Sequence, residues 1–464
     1  MEINWKAEVD KHFDDYLEDL TTLLRVKSVR DDDAATEDAP VGPGPKEALE
    51  TFLSIAERDG FTTKNVANLA GRVEYGEGDE TLGILGHVDV VPVDDAWETD
   101  PFEPVIKDDK IYARGSSDDK GPMLACYYGL KMIKELGLPV SKKVHFIVGT
   151  DEESDWKGVT RYFETEPMPD FGFSPDAEFP IINGEKGIFT MLLHFPALGT
   201  GALKAFAGGQ RDNMVPGDAE ATITGVSVED AKAKAEVFNG ENPVKVTVKA
   251  GNGDEVIVHV EGKVSHGAQP ENGHNASTYL AVFLRTLSDE LKKDQYLTFI
   301  EERLHTDFDG EKLGIKHHDD VMGDLSENPG VFKPEADGQM ISVNCRVPRG
   351  LTFAEIDAIV DKHGEKYGFT RTDASHLQEP HYCPPTDPLV TTLLDVWKEH
   401  SGQPGHEQVI GGGTYGRLFE RGVAYGAAMP GAIDTMHQPN EFEPLDTLRL
   451  SMAIYADAIY RLIK

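Results

Sequence analysis

The chain has 464 residues, of which 39% are hydrophobic, so it is long enough for two or three domains that each bury a core. Its 82 acidic and 45 basic residues give a formal net charge of −37 at pH 7. A field of that sign repels nucleic acid and anionic membrane surfaces, so neither is an expected partner.

The three cysteines, Cys126, Cys345 and Cys383, show neither a paired nor a C-x-x-C spacing. An odd number without a framework is typical of a reducing compartment. The N-terminus lacks a basic segment followed by an apolar one, and no apolar run approaches the ~18 residues of a membrane span. The sequence therefore predicts a cytoplasmic protein.

The first 183 residues alternate amphipathic helices with short apolar strands. The spacing of apolar residues predicts helices at 5–26, 45–59, 122–136 and about 157–165, and strands at 81–86, 143–150 and 171–175. Such alternation predicts an α/β domain with a mainly parallel sheet that is covered by helices on both faces.

The pattern changes near residue 184 and changes back near residue 383. The elements expected between these points are alternating strands at 219–223, 244–248 and 256–260 and helices near 228–239, 276–292 and 353–367. A helix at 388–400 and a last helix that opens at Pro444 then return to the first pattern. We therefore expect one domain of residues 1–183 and 384–464, interrupted by an α+β insertion of residues 184–383.

Each predicted parallel strand is followed by side chains that can bind a metal. His87 and Asp89 follow the first strand, Glu152 and Glu153 the second, and Asp176 the third. Functional groups of such sheets lie beyond the carboxyl ends of the strands, so these side chains are expected to meet. His87 and Asp89 share one face of an extended backbone, which lets the carboxylate orient a metal-bound imidazole.

Two acidic pairs, Asp118-Asp119 and Glu152-Glu153, supply further candidate ligands. One carboxylate of the first pair can bridge two cations while its neighbour turns away or caps the next helix. One glutamate of the second pair can bind metal while the other faces a bound water as general base. The residue types alone do not decide which member of each pair has which role.

Three other features carry weaker signals. The run His317-His318-Asp319-Asp320 is predicted to be a polar loop, because adjacent histidines rarely share one coordination geometry. The glycine-rich stretch 411–417 lacks the G-K-[ST] ending of a phosphate loop, but its backbone amides could hold a substrate carboxylate. The isolated histidines, His266 and His437, cannot be assigned from the residues alone.

The order of these motifs resembles the co-catalytic zinc peptidase family that includes carnosinases, succinyl-diaminopimelate desuccinylase and glutamate carboxypeptidases. The resemblance spans essentially the whole chain and rests on residues 86–92, 118–122, 149–153, 174–178 and 411–422. It implies a zinc-peptidase-like catalytic domain with two zinc ions per chain, other divalent ions such as manganese or cobalt being alternatives, and an insertion that acts as a lid.

Carried over residue by residue, the resemblance implies two metal positions. His87 and Asp176 would bind one zinc, Glu153 and His437 would bind the other, and Asp118 would bridge the two. An aspartate at position 176 is typical of the aminopeptidase-like members of the family. This favours peptide substrates with a free amino group.

The same resemblance implies the remaining roles. Asp89 would orient His87, and Glu152 would be the general base. His266 resembles the residue that stabilises the tetrahedral oxyanion, and Asn213 and Arg346 resemble its partners for the intermediate and the substrate carboxylate.

The glycine-rich loop with Gly413 and Thr414 would help to hold the C-terminal carboxylate of the substrate. The insertion is roughly twice as long as the usual dimerisation domain of the family. In one branch of the family a doubled α+β lid of this kind supplies the catalytic histidine in cis, which implies a monomer.

The implied activity is hydrolysis of dipeptides, together with some tripeptides, by a metal-activated water. One alternative is an N-acyl amino acid deacylase or desuccinylase that uses the same metals. The other is a non-catalytic metal-binding or peptide-binding relative. The presence of Glu152 and His266 argues against the last, because binding alone requires neither.

Overall fold

The structure is a computed structural model that describes residues 3–198, 201–374 and 377–464. Internal contacts divide the chain into two compact units. Unit 1 consists of the chain up to Gly184, Tyr382–Val409 and Gly413–Lys464, and unit 2 consists of Glu185–His381 and Ile410–Gly412. The helices of the described residues are too short or too polar to cross a lipid bilayer.

The α-helices of the described residues, in chain order, are α1 (Trp5–Leu24), α2 (Pro43–Arg58), α3 (Lys120–Glu135), α4 (Lys157–Thr165), α5 (Val228–Glu241), α6 (Ala276–Arg285), α7 (Asp289–Lys293), α8 (Gln295–Phe299), α9 (Phe353–Tyr367), α10 (Pro388–Ser401) and α11 (Leu445–Ile463). Short 3₁₀ segments lie at Pro270–Asn272 and Tyr415–Leu418. A π-helical turn lies at Ile300–Leu304.

The strands, in the same order, are β1 (Thr62–Val66), β2 (Ala70–Tyr75), β3 (Thr81–His87), β4 (Val105–Lys107), β5 (Lys110–Tyr112), β6 (Lys143–Gly149), β7 (Phe171–Ser174), β8 (Ala177–Glu178), β9 (Gly184–Glu185), β10 (Gly187–Pro196), β11 (Leu203–Gly208), β12 (Asp218–Ile223), β13 (Lys245–Ala250), β14 (Val256–Glu261), β15 (His318–Asp319), β16 (Gly323–Asp324), β17 (Ser326–Glu335), β18 (Gly338–Val347), β19 (Thr370–Asp373), β20 (His381–Tyr382), β21 (Val409–Ile410), β22 (Gly422–Ala424), β23 (Ala427–Ala428) and β24 (Phe442–Pro444).

Unit 1 is built on a six-stranded sheet in the order β1-β2-β6-β3-β7-β22. The neighbours β6, β3, β7 and β22 are parallel, and β2 is antiparallel to both β1 and β6. The predicted α/β fold with a mainly parallel sheet is confirmed. Its four parallel strands all end at one edge, where the candidate ligands begin.

Side-chain alternation along the central strands gives the sheet two apolar faces. Ile84 of β3 lies in the core formed with α1, α2, α3, α10 and α11. Its neighbour Leu85 lies in a second core with Tyr162 of α4 and Phe419. Because both faces are covered, the central strands are almost wholly apolar, and polar side chains can enter only after the strands end.

Unit 2 contains an eight-stranded sheet in the order β13-β14-β12-β11-β17-β18-β10-β19, with antiparallel neighbours throughout. Alternate residues of β10, such as Phe189 and Met191, face a core formed with helices α5 to α9. The two four-stranded halves of this sheet meet at a single register pair, Gly208 and Phe332. Every strand of the sheet except β19 contributes buried apolar side chains to this core.

The single helix predicted at 276–292 is wrong, because the structure divides it into α6 and α7. Ser288 has an extended backbone, and its hydroxyl accepts a hydrogen bond from the Leu291 N–H at 3.2 Å, so it caps a new helix. The Arg285 guanidinium donates to the Lys292 carbonyl at 2.9 Å across the break. The apolar pattern does not indicate the break, because the buried Leu287 and Leu291 continue the spacing of apolar residues in α6.

Strand β17 carries a carboxyl group on its apolar side. Glu327 is fully buried and pairs in register with Cys345, whose side chain lies in the core of unit 2. Neither carboxyl oxygen has a hydrogen-bond partner among the described residues. Burial, followed by the charges of Asp307 and Asp309, raises the pKa of Glu327 well above its usual value. In the folded protein this carboxyl group therefore holds its proton to a higher pH than it does in the unfolded chain.

The substitution Glu327→Gln should make the stability of the protein less dependent on pH. The unfolded chain releases the Glu327 proton near its ordinary pKa of ~4.3, whereas the folded chain retains it to a higher pH. Between these two pKa values the free energy of unfolding of the natural chain falls as pH rises, by at most ~1.4 kcal/mol per pH unit. The variant lacks that slope.

Melting temperatures measured at pH 5, 7 and 8.5 test this expectation. The melting temperature of Glu327→Gln, taken relative to that of the natural chain, should rise with pH. The exposed glutamate of β12 provides the control, and Glu220→Gln should run parallel to the natural chain. Parallel profiles for Glu327→Gln and the natural chain would contradict the prediction.

Candidate metal centre

His87, the last residue of β3, is fully buried and lies among carboxylates. Its Nε2 is 3.2 Å from Oδ1 of Asp118 and 3.5 Å from Oδ2 of Asp176. Asp176 follows β7, the parallel neighbour of β3, and Asp118 lies two residues before the start of α3. The carboxyl end of the sheet thus brings together one imidazole and two carboxylates from three separate segments.

His437 contacts the same aspartate from the opposite side. Its Nε2 is 2.9 Å from Oδ2 of Asp118 and 2.9 Å from Oε1 of Glu153. The two oxygens of Asp118 therefore contact two different imidazoles, those of His87 and His437. This is the placement that a carboxylate needs in order to bridge two cations.

The two aspartates before α3 point in different directions. Asp119 is fully buried, and its Oδ2 accepts a hydrogen bond from the His87 backbone N–H at 3.3 Å. Gly86 makes room for it, because a Cβ at that position would lie 2.7 Å from the same oxygen. Asp119 supports the strand end from behind, while Asp118 faces the imidazoles.

Asp89 links His87 to the second acidic pair. The Nδ1 of His87 is 3.1 Å from the Asp89 carbonyl oxygen and 3.4 Å from its Oδ1. The carboxylate of Asp89 accepts hydrogen bonds from the backbone N–H groups of Glu152 and Glu153, each at 3.1 Å. One buried carboxylate therefore fixes an imidazole and the loop that carries two glutamates.

Two overlapping groups of side chains have the spacing of metal ligands, with ligand atoms within 4.8 Å of one another. One contains His87, Glu152 and Asp176, and the other contains His87, Asp118 and Glu153. Glu152 thus lies as close to these atoms as the predicted ligands do. Its position suits either a metal ligand or a general base beside a bound water. Counting the metal ions that a Glu152 variant binds distinguishes these two roles.

The electrostatics of this cluster show an excess of negative charge. Burial, followed by the charge of Asp176, raises the pKa of Glu152 well above its usual value. Burial, followed by Asp118, raises the pKa of Glu153 to about 7. Hydrogen bonds to Asp118 and Glu153 raise the pKa of His437 to about 11. Divalent cations would offset this charge, and imidazole with carboxylate oxygens is a donor set that suits zinc.

An aromatic pair that the sequence did not single out lies behind the imidazole of His87. Tyr415 is fully buried, and its ring centroid is 6.4 Å from His87 and 5.0 Å from Trp156, both edge-on. The Trp156 Nε1 donates to the Glu152 carbonyl at 2.7 Å. The two rings restrict the imidazole plane and the loop of Glu152. No sequence signal separates them from ordinary core aromatics.

In unit 2, the segments of Asn213 and His266 lie side by side. The Gly267 N–H donates to the Asn213 carbonyl at 2.7 Å, and both side chains are exposed. The Ala268 N–H donates to Nδ1 of His266 at 3.1 Å, which leaves the proton of the neutral ring on Nε2. Partial burial of the ring, followed by the charge of Arg346, lowers the pKa of His266 and so favours the neutral form of the ring.

The residues expected to hold a substrate carboxylate belong to different units. Arg346 lies on β18 of unit 2 and is almost fully buried. Gly413 and Thr414 lie in unit 1, where the Thr414 hydroxyl accepts a hydrogen bond from the Gly416 N–H at 3.1 Å and caps a 3₁₀ turn. The shared role of these residues stays a prediction.

The run at 317–320 forms the start of a small hairpin, β15-β16. Asp319 accepts hydrogen bonds from the Val321 and Met322 N–H groups at 3.0 and 2.7 Å. Nδ1 of His318 is 2.8 Å from Oδ1 of Asp324, and Nε2 of His317 is 2.8 Å from the Arg349 carbonyl oxygen. These contacts hold the two strands of the hairpin together and join the hairpin to the segment that follows β18.

Comparison with known proteins points to one family. The family model described as "Peptidase family M20/M25/M40" matches residues 83–461. The Beta-Ala-Xaa dipeptidase of Lactobacillus delbrueckii subsp. lactis is 45% identical over 470 aligned residues, which cover 100% of this chain and 99% of that protein.

Two solved structures share the fold at low sequence identity. Human carnosine dipeptidase 1 superposes with a TM-score of 0.56 at 16% identity, covering 99% of this chain and 98% of that one. The M20 family metallo-carboxypeptidase Sso-CP2 from Sulfolobus solfataricus has a TM-score of 0.57 at 18% identity, covering 96% and 98%. These likenesses support the α/β fold with an additional domain.

The substitution Asp89→Asn should weaken metal binding by about 10–100-fold. An amide has one oxygen and cannot accept from two backbone N–H groups while it also faces the His87 imidazole. A competition titration with a chromophoric chelator measures the affinity. The control is Asp457→Asn, a buried aspartate of α11 whose partners are His400 and Arg461. Unchanged affinity in Asp89→Asn would refute the orienting role.

Proposed function

The chain belongs to peptidase family M20/M25/M40, and we propose that it hydrolyses dipeptides with a free N-terminus at a centre of two zinc ions. The family predicted from the motifs is confirmed by the match over residues 83–461. With a dipeptidase relative at 45% identity over the whole chain, the protein is a metallopeptidase that hydrolyses dipeptides. The deacylase alternative is not favoured.

The proposed ligands are His87 and Asp176 for one ion, Glu153 and His437 for the other, and Asp118 for both. The observation that carries this assignment is the contact of the two Asp118 oxygens with two different imidazoles. When bound, a pair of divalent ions in this donor set polarises the peptide carbonyl and lowers the pKa of a water to about 7. Manganese or cobalt would suit the same donors.

Glu152 is proposed as the general base. Its carboxylate lies within 4.8 Å of ligand atoms of His87 and Asp176. It takes a proton from the attacking water and returns that proton to the leaving amine. The hydrogen bond from the Glu153 N–H to Asp89 and the one from Trp156 to the Glu152 carbonyl hold its backbone in place.

His266 is proposed to donate a hydrogen bond from Nε2 to the oxyanion of the tetrahedral intermediate. The support is its tautomer, because the Ala268 N–H occupies Nδ1 and the lowered pKa favours the neutral ring. A neutral donor stabilises developing negative charge without a proton transfer of its own. Asn213, on the adjoining segment, and Arg346 are proposed to bind the intermediate and the substrate carboxylate.

Further proposals concern substrate and assembly. The relative is named for Beta-Ala-Xaa substrates, and we extend to this chain the proposal that a β-alanyl residue is accepted at the N-terminus. Gly413 and Thr414 would help to hold the C-terminal carboxylate and so limit substrate length. Unit 2 is proposed to act as the lid. The monomeric state and the cytoplasmic location stay predictions.

An assay of the zinc-loaded protein tests the proposed substrate class. Ala-His and β-Ala-His should be cleaved, their N-acetylated forms and an N-succinyl amino acid should not, and a chelator should abolish cleavage. Cleavage of the acylated compounds alone would overturn the requirement for a free amino group. Cleavage that survives complete removal of metal would overturn the metal-dependent mechanism.

The substitution Glu152→Gln should lower kcat by about 10²–10⁴-fold, because the amide cannot take the proton from water. Elemental analysis should still find two metal ions per chain. Glu153→Gln is the matched comparison at the adjacent position, and it should lose one ion because it removes a proposed ligand. Loss of an ion from Glu152→Gln would make Glu152 a ligand, and full activity would refute its role as base.

A further inference from the structure

Glu441 is a fully buried carboxylate that accepts five hydrogen bonds from one short stretch of unit 1. Its Oε2 accepts from Nη1 of Arg114 at 2.6 Å. Its Oε1 accepts from the backbone N–H groups of Gly115, Ser117 and Asp118 at 3.1, 2.9 and 3.2 Å, and from the Ser117 hydroxyl at 3.1 Å. These bonds fix the backbone up to the residue whose side chain contacts both imidazoles.

Arg114 gives this carboxylate a partner that is shielded from solvent. Its guanidinium is buried and lies 5.3 Å from the ring centroid of Trp97. The neighbouring loop is tied to the same region, because the Glu98 N–H donates to Oδ1 of Asn440 at 2.8 Å. A charge-assisted bond in such surroundings is strong and directional, and water cannot replace it when it is removed.

Glu441 also lies on the loop that carries His437. The Thr435 hydroxyl closes this loop, since it accepts from the Phe442 N–H at 3.2 Å and donates to the Phe442 carbonyl at 3.3 Å. The Ala113 N–H donates to the Glu441 carbonyl at 3.2 Å. His437 itself has a left-handed backbone with φ of +61°, a conformation that persists only when its surroundings hold it.

We propose that Glu441 is a positioning residue that sets the distance between Asp118 and His437, and thereby builds the metal position that those two residues share. Its carboxylate holds the backbone of Asp118 directly, and its own main chain anchors the loop of His437. The contact that results is the 2.9 Å approach of Nε2 of His437 to Oδ2 of Asp118. The inference rests on the proposed function, in which both residues are ligands.

The substitution Glu441→Gln tests this role with little change of shape. The amide cannot accept from both Arg114 and the three backbone N–H groups, so the stretch that ends at Asp118 loosens. The affinity for one of the two ions should fall about 10–100-fold, as for other residues that orient ligands. The ion assigned to His87 and Asp176 should be less affected.

Cobalt(II) binding to the full chain measures this effect directly. Equilibrium dialysis gives the number of ions per chain and the two affinities, and the visible absorption of bound cobalt reports its coordination. The matched control is Glu443→Gln, which changes another buried glutamate; it lies on β24 and pairs in register with Ile111. It should bind two ions with the affinity of the natural chain. Circular dichroism establishes that each variant is folded.

The conservative variant Glu441→Asp keeps the charge but withdraws it by one methylene. Its affinity for the weakened ion should lie between those of the natural chain and Glu441→Gln. If Glu441→Gln does not fold, this variant carries the test alone, and it should bind that ion about tenfold more weakly than the natural chain. Unchanged affinities in the folded variant would overturn the proposal.

The variant His437→Ala removes a proposed ligand. It distinguishes an error in the proposed ligand set from an error in the positioning role of Glu441. It should lose one ion. If it still binds two ions with the affinity of the natural chain, the proposed ligand set is wrong, and the inference about Glu441 is overturned with it. If His437→Ala loses an ion while Glu441→Gln binds both ions normally, the ligand set stands and the positioning role alone is wrong.

Discussion

The site depends on the contact of one carboxylate, Asp118, with two imidazoles. Its Oδ1 faces His87 and its Oδ2 faces His437, at 3.2 and 2.9 Å. Around it lie the largely buried carboxylates of Glu153 and Asp176, so three carboxylates lie beside two imidazoles. Burial of like charges is unfavourable unless cations or hydrogen bonds offset it, and a pair of divalent ions is the simplest compensation that these donors allow.

Three other buried carboxylates support Asp118 and its neighbours, but they do not contact both imidazoles as Asp118 does. Asp89 fixes the Glu152 loop, Asp119 accepts from the strand end at His87, and Glu441 holds the backbone before α3. Each of these carboxylates accepts a hydrogen bond from at least one backbone N–H group, whose position is fixed by the main chain. The scaffold therefore limits the freedom of the proposed ligands, which come from distant parts of the sequence.

Much of the catalytic sheet could be predicted because its strands are apolar on both faces and end abruptly in polar residues. The positions of β3, β6 and β7 follow from that contrast, and so does the convergence of His87 and Asp176. The division of roles within an acidic pair could not be predicted from residue types. It depends on which way each side chain leaves the backbone, as the different directions of Asp118 and Asp119 illustrate.

Other features were missed because their cause is remote in sequence or not periodic. Glu441 meets Arg114 across 327 residues, and nothing near either residue indicates the pairing. The break between α6 and α7 depends on a single capping hydroxyl, that of Ser288, within an uninterrupted apolar pattern.

Anomalous diffraction at the zinc edge from crystals of the metal-loaded protein tests the central claim most directly. The account predicts two peaks about 3.5–4 Å apart, one beside His87 and Asp176 and the other beside Glu153 and His437, with Asp118 between them. A single peak, or a second peak away from Asp118, would contradict it.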